Sequence, residues 1–253
     1  MALMDEFKEE REAVLLHGTL KQKISYFFHY YKWHTLIVIF VTFFTVNYIY
    51  SLVTRPEQLL YGITLNTFNE DASTNGEKLI QDFIQKYNIN TSDYSLILDT
   101  DLHYLTTVTS DISASNYDAM QVMSTRSATG ELDFITGDLD SLVSLGYNEF
   151  FNNLREVLSP EQYELFEPYM LYIDEKLVSE LNELPWGEDI PNINIPNPRE
   201  PETMEKPIPI LIDVTKSEKL NTVYNLEFDT LVLGIVNATN PETTIQFIEY
   251  LMQ

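Results

Sequence analysis

Two pairs of carboxylates with the same spacing follow apolar runs in this chain. Asp99 and Asp101 close the stretch SLILDTD (Ser95 to Asp101), and Asp138 and Asp140 follow the apolar stretch Leu132 to Thr136. Two carboxylates released at a strand end can hold a hard cation through their oxygens. In a parallel sheet the carboxyl ends of the strands line one edge, where ligands usually sit. That edge would gather Asn69, Asp99, Asp101, Gly137 and Asp138 around a cation or an amine-bearing ligand. The competing reading is structural: Asp138 as a helix cap, Gly137 as a turn residue, and Asp99 with Asp101 as a solvated strand terminus. No calcium-loop sequence accompanies either pair, so no resident metal is assigned.

Other chemistries are excluded more directly. His103 is the sole histidine outside the membrane-proximal region, so neighbouring histidines for a metal cluster or a Ser-His-Asp triad are missing. The chain has no cysteine, no Gly-rich phosphate loop and no zinc-protease signature. The SLILDTD stretch is similar to the Asp-x-Asp pattern with which many glycosyltransferases hold a metal and a sugar nucleotide. Those enzymes place a nucleotide-binding unit ahead of the motif, and the stretch available here is too short for one. The expectation is a non-catalytic protein without a cofactor.

The elements that position these residues begin with a membrane span. Thr35 to Val53 (TLIVIFVTFFTVNYIYSLV) carries no charge and is bracketed by Lys32 and Arg55. At about 1.5 Å per residue it covers roughly 28 Å, close to the hydrocarbon thickness of a bilayer. Lys21, Lys23 and Lys32 precede it, whereas Arg55 alone lies close behind it, which places the N-terminus in the cytoplasm. Tyr26, Phe27, Phe28, Tyr30, Tyr31 and Trp33 match an interfacial aromatic belt. No small-x-small cleavage site follows the apolar run, so it reads as an uncleaved signal anchor. Residues 1–33 are then a short cytoplasmic segment, with a helix expected over Asp5 to Leu16, and residues 34–55 are the transmembrane helix.

Charge divides unevenly about this span. Of 15 basic and 39 acidic residues, six and five precede Pro56, leaving nine and 34 and a formal charge of −25 for residues 56–253. So acidic a domain lacks the basic surface that displaces counterions from nucleic acid. Capture of cations or basic peptides remains open. A long exposed part without cysteine suits a bacterial envelope better than a eukaryotic ectodomain. Glycosylation sequons occur at Asn90 and Asn237.

Beyond Pro56 the pattern alternates between strand and helix. Leu60 to Asn66, Tyr94 to Leu98 and Leu132 to Thr136 read as strands. Between them, a helix follows a capping box at Thr74 to Glu77, and a second helix covers Asn116 to Ser127. Such a series favours a parallel sheet. Shorter helices follow, one opened by Ser159 and Pro160. Seven of the eleven prolines fall between Pro185 and Pro209, which predicts a long stiff loop over 185–209. Ile210 to Val214 and Thr230 to Val236 read as strands buried on both faces, each followed by a helix, the last opened by Asn240 and Pro241. Residues 57–253 are thus expected to form one mostly parallel, three-layer α/β domain.

Three stretches of this domain resemble the type 2 solute-binding proteins of bacterial uptake systems: GELDFITGD (130–138), YNEFFNNLREVL (147–158) and GIVNATNPETTIQFIEYL (234–251). The first looks like the third strand of that family's first lobe, and the last like the chain's return to that lobe. The juxtamembrane stretch KISYFFHYYKWH is also similar to that of membrane-anchored proteins of Gram-positive anaerobes. Family members carry a second lobe between the halves of the first and clamp the ligand as the lobes close. Here only about 40 residues, from Pro168 to Pro207, occupy that interval. The resemblance therefore implies a single lobe without its clamp. The function expected is a membrane-anchored, extracytoplasmic binding or adaptor module with an envelope protein partner, or alternatively a solute or cation receptor serving a transporter or sensor.

Overall fold

Residues 16–106, 114–183, 194–225, 228–237 and 240–253 are described by a computed structural model. The chain divides into two units, Met1–Arg55 and Pro56–Gln253.

In the first unit a single helix, α1 (Leu20–Val53), is opened by a capping box in which the Thr19 and Gln22 side chains each bond the other's backbone N–H. It incorporates both the lysine- and aromatic-rich stretch and the apolar run. Its Tyr31–Val53 portion, 23 residues with a mean hydropathy of 2.1, is long and apolar enough to cross a membrane. At about 1.5 Å per residue it reaches roughly 35 Å. A helix of this kind near an N-terminus serves equally as a membrane anchor or as a signal sequence. The one amide within it, Asn47, donates to the Phe43 carbonyl at 2.8 Å. The helix expected over Asp5 to Leu16 lies almost wholly outside the described residues.

The second unit is α/β, with a six-stranded mixed sheet. Its elements are β1 (Glu57–Thr64), α2 (Ala72–Tyr87), β2 (Tyr94–Asp99), α3 (Ala114–Ala128), β3 (Phe134–Asp138), α4 (Leu139–Tyr147), α5 (Leu154–Val157) and α6 (Pro160–Phe166). Then come β4 (Met170–Asp174), α7 (Glu175–Asn182), β5 (Pro207–Asp213), α8 (Glu218–Tyr224), β6 (Leu231–Ile235) and α9 (Pro241–Met252). The strands lie in the order β2-β1-β3-β6-β5-β4.

The expectation of a mostly parallel sheet is corrected. β1 is parallel to β2 and β3, but the β3–β6, β6–β5 and β5–β4 pairings are all antiparallel. The apolar runs of β5 and β6 report that both faces of the sheet are covered, and coverage does not depend on strand direction. Side-chain alternation sorts the core onto those two faces. On one, Leu60, Phe134, Ile212 and Leu233 meet Phe83 of α2, Tyr224 of α8 and Phe247 of α9. On the other, Ile63, Ile135, Leu211 and Val232 meet Met123 of α3, Leu145 of α4 and Val178 of α7. The unit is therefore three-layered.

Three local readings also change. The Thr74–Glu77 pair lies inside α2, whose first residue is Ala72. The helix starts earlier because Asn69 makes the turn ahead of it, accepting from the Asp71 N–H through its side chain and from the Ala72 N–H through its carbonyl. β4 and α7 occupy a stretch in which sequence reading placed neither. The proline-rich loop ends sooner than expected, since Pro207 and Pro209 belong to β5. A register shift at Leu171/Tyr172 of β4 lies opposite Pro209, where a ladder donor is missing.

The described part of that loop is firmly attached. Tyr172 of β4 donates its N–H to the Pro198 carbonyl at 2.9 Å, and Arg199 pairs with Asp213 at 2.7 Å. Asp174, at the end of β4, accepts backbone N–H bonds from Lys176, Glu205 and Lys206 at 2.9 to 3.1 Å. Burial opposes its ionisation, but these three donors more than offset that and hold the carboxyl below the usual carboxylate range.

Candidate functional site

The sheet order puts β2 and β3 on either side of β1. Leaving β1, the chain turns into α2 on one face, and leaving β3 it turns into α4 on the other. Diverging connections of this kind open a crevice beyond the carboxyl ends of the two strands, the usual ligand position in open α/β sheets.

Here that position is filled by the chain's own residues. Asn66 follows β1 in the left-handed backbone region at φ 61° and is fully buried. Its amide nitrogen donates to Asp138 Oδ2 at 2.6 Å and to the Tyr104 carbonyl at 3.0 Å, and its Oδ1 accepts from the Tyr104 N–H at 2.7 Å. The Asn66 N–H donates to the Leu102 carbonyl at 3.0 Å, and the Thr106 N–H reaches Ser141 Oγ at 3.5 Å. The segment Leu102 to Thr106 thus runs from the end of β1 to the first turn of α4. Its Tyr104 ring is 1% exposed and joins the core beside Met123 and Leu142. Burial pushes the Tyr104 hydroxyl pKa up, although a hydrogen bond with Ser144 lowers it somewhat.

The five residues singled out from sequence belong to three sets of partners. Asp138 caps α4, accepting from the Ser141 N–H at 2.9 Å, and uses its other oxygen on Asn66. Gly137 lies within β3 rather than in a turn. A Cβ there would come within 2.6 Å of Leu142 Cδ1 and 3.3 Å of Leu65 Cβ, so a larger residue would have to push the Leu142 side chain of α4 aside. Asp99 ends β2, with Oδ2 accepting from the Tyr61 hydroxyl at 2.8 Å and Oδ1 from the Asp101 N–H at 3.1 Å. Tyr61 in turn lies under the Arg126 guanidinium, 4.1 Å from its ring centroid. Burial, with the adjoining Asp99 carboxylate, drives the Tyr61 pKa far above the normal phenol range. Asp101 is exposed. Asn69 braces a different element, donating to the Thr222 and Val223 carbonyls of α8 at 3.2 and 3.1 Å.

Among the described residues no group of three or more His, Cys, Asp or Glu side chains could hold a metal ion. Nor does any buried side-chain nitrogen or oxygen among them lack a hydrogen-bond partner. His103 stacks flat on Phe68, with ring centroids 5.0 Å apart. An open depression of about 720 Å3 lies at the other end of β3 and is lined in part by Ser127, Gly130, Asn152 and Asn237. Asn237 donates its amide to the Ser127 carbonyl at 2.7 Å, and Asn90 donates its own to Asp93 at 2.7 Å. Both sequon amides are therefore engaged within the fold.

Sequence reading missed Asn66 and Tyr104. Asn directly after a strand is a plausible left-handed residue, but nothing local points to Tyr104, 38 positions away.

No family model matches this chain, and no curated protein or solved structure does either.

Proposed function

We propose that this is a membrane-anchored binding or adaptor protein of the bacterial cell envelope, acting through its α/β unit on a protein partner rather than on a substrate. One observation carries the reading: the crevice at the ends of β1 and β3 is closed by the Asn66–Asp138–Tyr104 hydrogen bonds. A ligand entering there would have to displace a buried tyrosine and leave buried polar groups unpaired, at a cost of about 1–3 kcal/mol for each group. Surface is what the unit offers instead.

Anchoring is supported by the Tyr31–Val53 portion of α1. Orientation follows from the lysines ahead of that portion, which keep the N-terminus cytoplasmic and the acidic unit outside. The likeness to one lobe of a solute-binding protein fits the manner in which β6 returns beside β3, followed by α9 on the sheet. As a lone lobe, the unit has no clamp to close over a solute.

Thermal unfolding of the full chain in detergent micelles, scanned against amino acids, sugars, polyamines and divalent cations, tests this. A ligand bound only by the folded state must raise the midpoint. An unchanged midpoint, together with a discrete adduct to one envelope protein on photocrosslinking from the α/β unit in cells, is expected. A saturable midpoint rise with one small-ligand class would overturn the adaptor reading in favour of a receptor.

A further inference from the structure

The two edges of the sheet are treated differently. At β4, the described part of the proline-rich segment bonds to the outer side, the Pro198 carbonyl accepting the Tyr172 N–H. Covering an edge in this way, with residues that lack donors, is how folds prevent unwanted strand pairing. At the opposite edge, β2 has β1 as its only strand neighbour among the described residues. Its residues Tyr94 to Asp99 include no Lys and no Pro, and Tyr94 and Ile97 are 36% and 43% exposed. Beside it runs an open groove of about 610 Å3 against α2, lined by Ser73, Thr74, Glu77, Ile80, Leu96 and Leu98 among others. Backbone groups on an open edge supply binding energy to an added strand, and pockets for its alternate side chains supply selectivity.

The charges around this edge indicate what fits it. Asp93 precedes the strand, Asp99 ends it, Asp101 follows, and Glu77 lines the groove with Lys78. None of these carboxylates takes part in an ion pair among the described residues. A second copy of the chain is a poor occupant. Antiparallel pairing of two β2 strands would bring Asp93 of one copy to the Asp99–Asp101 end of the other, between units that each carry −25. Like charges across a strand pair are destabilising.

We propose that the β2 edge binds an extended segment of a protein partner, with apolar residues alternating along it and Lys or Arg at its two ends. This rests on the adaptor reading and gives it a surface. The added strand continues the sheet beyond β2, places alternate side chains in the groove beside Ile80, Leu96 and Leu98, and sets its basic ends against Asp93 at one end and Asp99 and Asp101 at the other.

The test uses the full chain in lipid nanodiscs and a fluorescein-labelled probe, Lys-Thr-Val-Thr-Val-Thr-Lys, followed by anisotropy. Saturable binding is expected, at least tenfold weaker for the same peptide with Glu ends and at least tenfold weaker with proline at its centre. Ile97→Lys, at an exposed position, should weaken binding tenfold or more while the melting midpoint holds. Asp101→Asn should reduce the preference for Lys ends over Glu ends. The proposal is overturned by no binding of the Lys-ended probe, by equal binding of the two peptides, or by indifference to Ile97→Lys. Disulfide trapping of two Ile97→Cys chains, the position that faces itself when Asp93 lies opposite Asp101, would also overturn it, by assigning the edge to a second copy. A partner adduct in cells that survives Ile97→Lys would refute this surface and leave the adaptor reading standing, whereas a small-ligand midpoint shift without any adduct would refute the adaptor reading itself.

Discussion

Replacing Asn66 with Ala tests whether the crevice is closed as strongly as its geometry implies. The substitution removes the hydrogen bond to the Asp138 carboxylate at 2.6 Å, and such a bond to a charged group contributes about 1.5–3 kcal/mol. It also leaves the buried Tyr104 N–H without its acceptor at 2.7 Å, a penalty of about 1–3 kcal/mol. The φ of 61° costs a residue bearing a Cβ about 1–2 kcal/mol more than glycine, although Asn already bears part of that. Because the groups are coupled, these contributions do not simply add, and a loss of about 3–5 kcal/mol is expected. In a unit of this size 1 kcal/mol moves the melting midpoint by about 2–4 °C, so the fall should be on the order of 10 °C.

Urea unfolding of the full chain in micelles, followed by near-UV circular dichroism, gives the number. Asn66→Gly should recover about 1 kcal/mol of the loss, because glycine adopts the left-handed backbone freely. Asn66→Asp places a second carboxylate against Asp138. At pH 7 it should be more damaging than Asn66→Ala, because two like charges then face each other and the donor to Asp138 is gone. A loss below about 1 kcal/mol for Asn66→Ala would refute the reasoning and reopen the crevice as a ligand site.

Asp174→Asn probes the clamp on the proline-rich segment. The folded-state pKa of Asp174 is depressed, so its contribution is present above the unfolded value of about 3.9 and is lost as pH falls through the folded value. The stability gap between the parent and Asp174→Asn chains, measured by urea unfolding across pH, should therefore be widest near neutrality and close in acid. A gap that widens below pH 4 would contradict this. Gly137→Ala should cost about 1–3 kcal/mol by overpacking, since the new methyl meets Leu142 Cδ1 at 2.6 Å. Adding Leu142→Val should return part of it in a thermal melt.

How much of this was legible follows from how local each signal is. The cap signal is local, two residues three apart, and it marked the start of α6 at Ser159 with Gln162 but misled at Thr74 with Glu77, where the turn made by Asn69 had already opened α2. Asp138 with Ser141 has the same spacing, which is why its capping role could be written beside its possible ligand role from sequence. β5, β6 and α9 were readable because their apolar patterns are dense. Strand direction was not, since a run covered on both faces looks the same whichever way it points. β4 is as short as β3 and β6, but it follows directly on a 3-10 turn at Glu167–Tyr169 and runs directly into α7, so no turn residue separates it from the helices around it.

The residues that close the crevice were illegible for a different reason. Asn66 and Tyr104 are 38 positions apart, and Asn66 and Asp138 are 72 apart. No periodicity links them, and they meet only because β2 and β3 flank β1 in the sheet. The carboxylates were found by chemical type, and topology then decided their use: Asp138 went inward to Asn66 and the cap, while Asp101 stayed in solvent. The same topology leaves β2 at an edge, where among the described residues no further strand pairs with it and carboxylates without an ion-pair partner flank it. If closing the crevice removed a ligand site, the carboxylates at the β2 edge still carry charge that no ion pair among the described residues offsets, and binding of a basic strand there is the consequence most directly open to measurement.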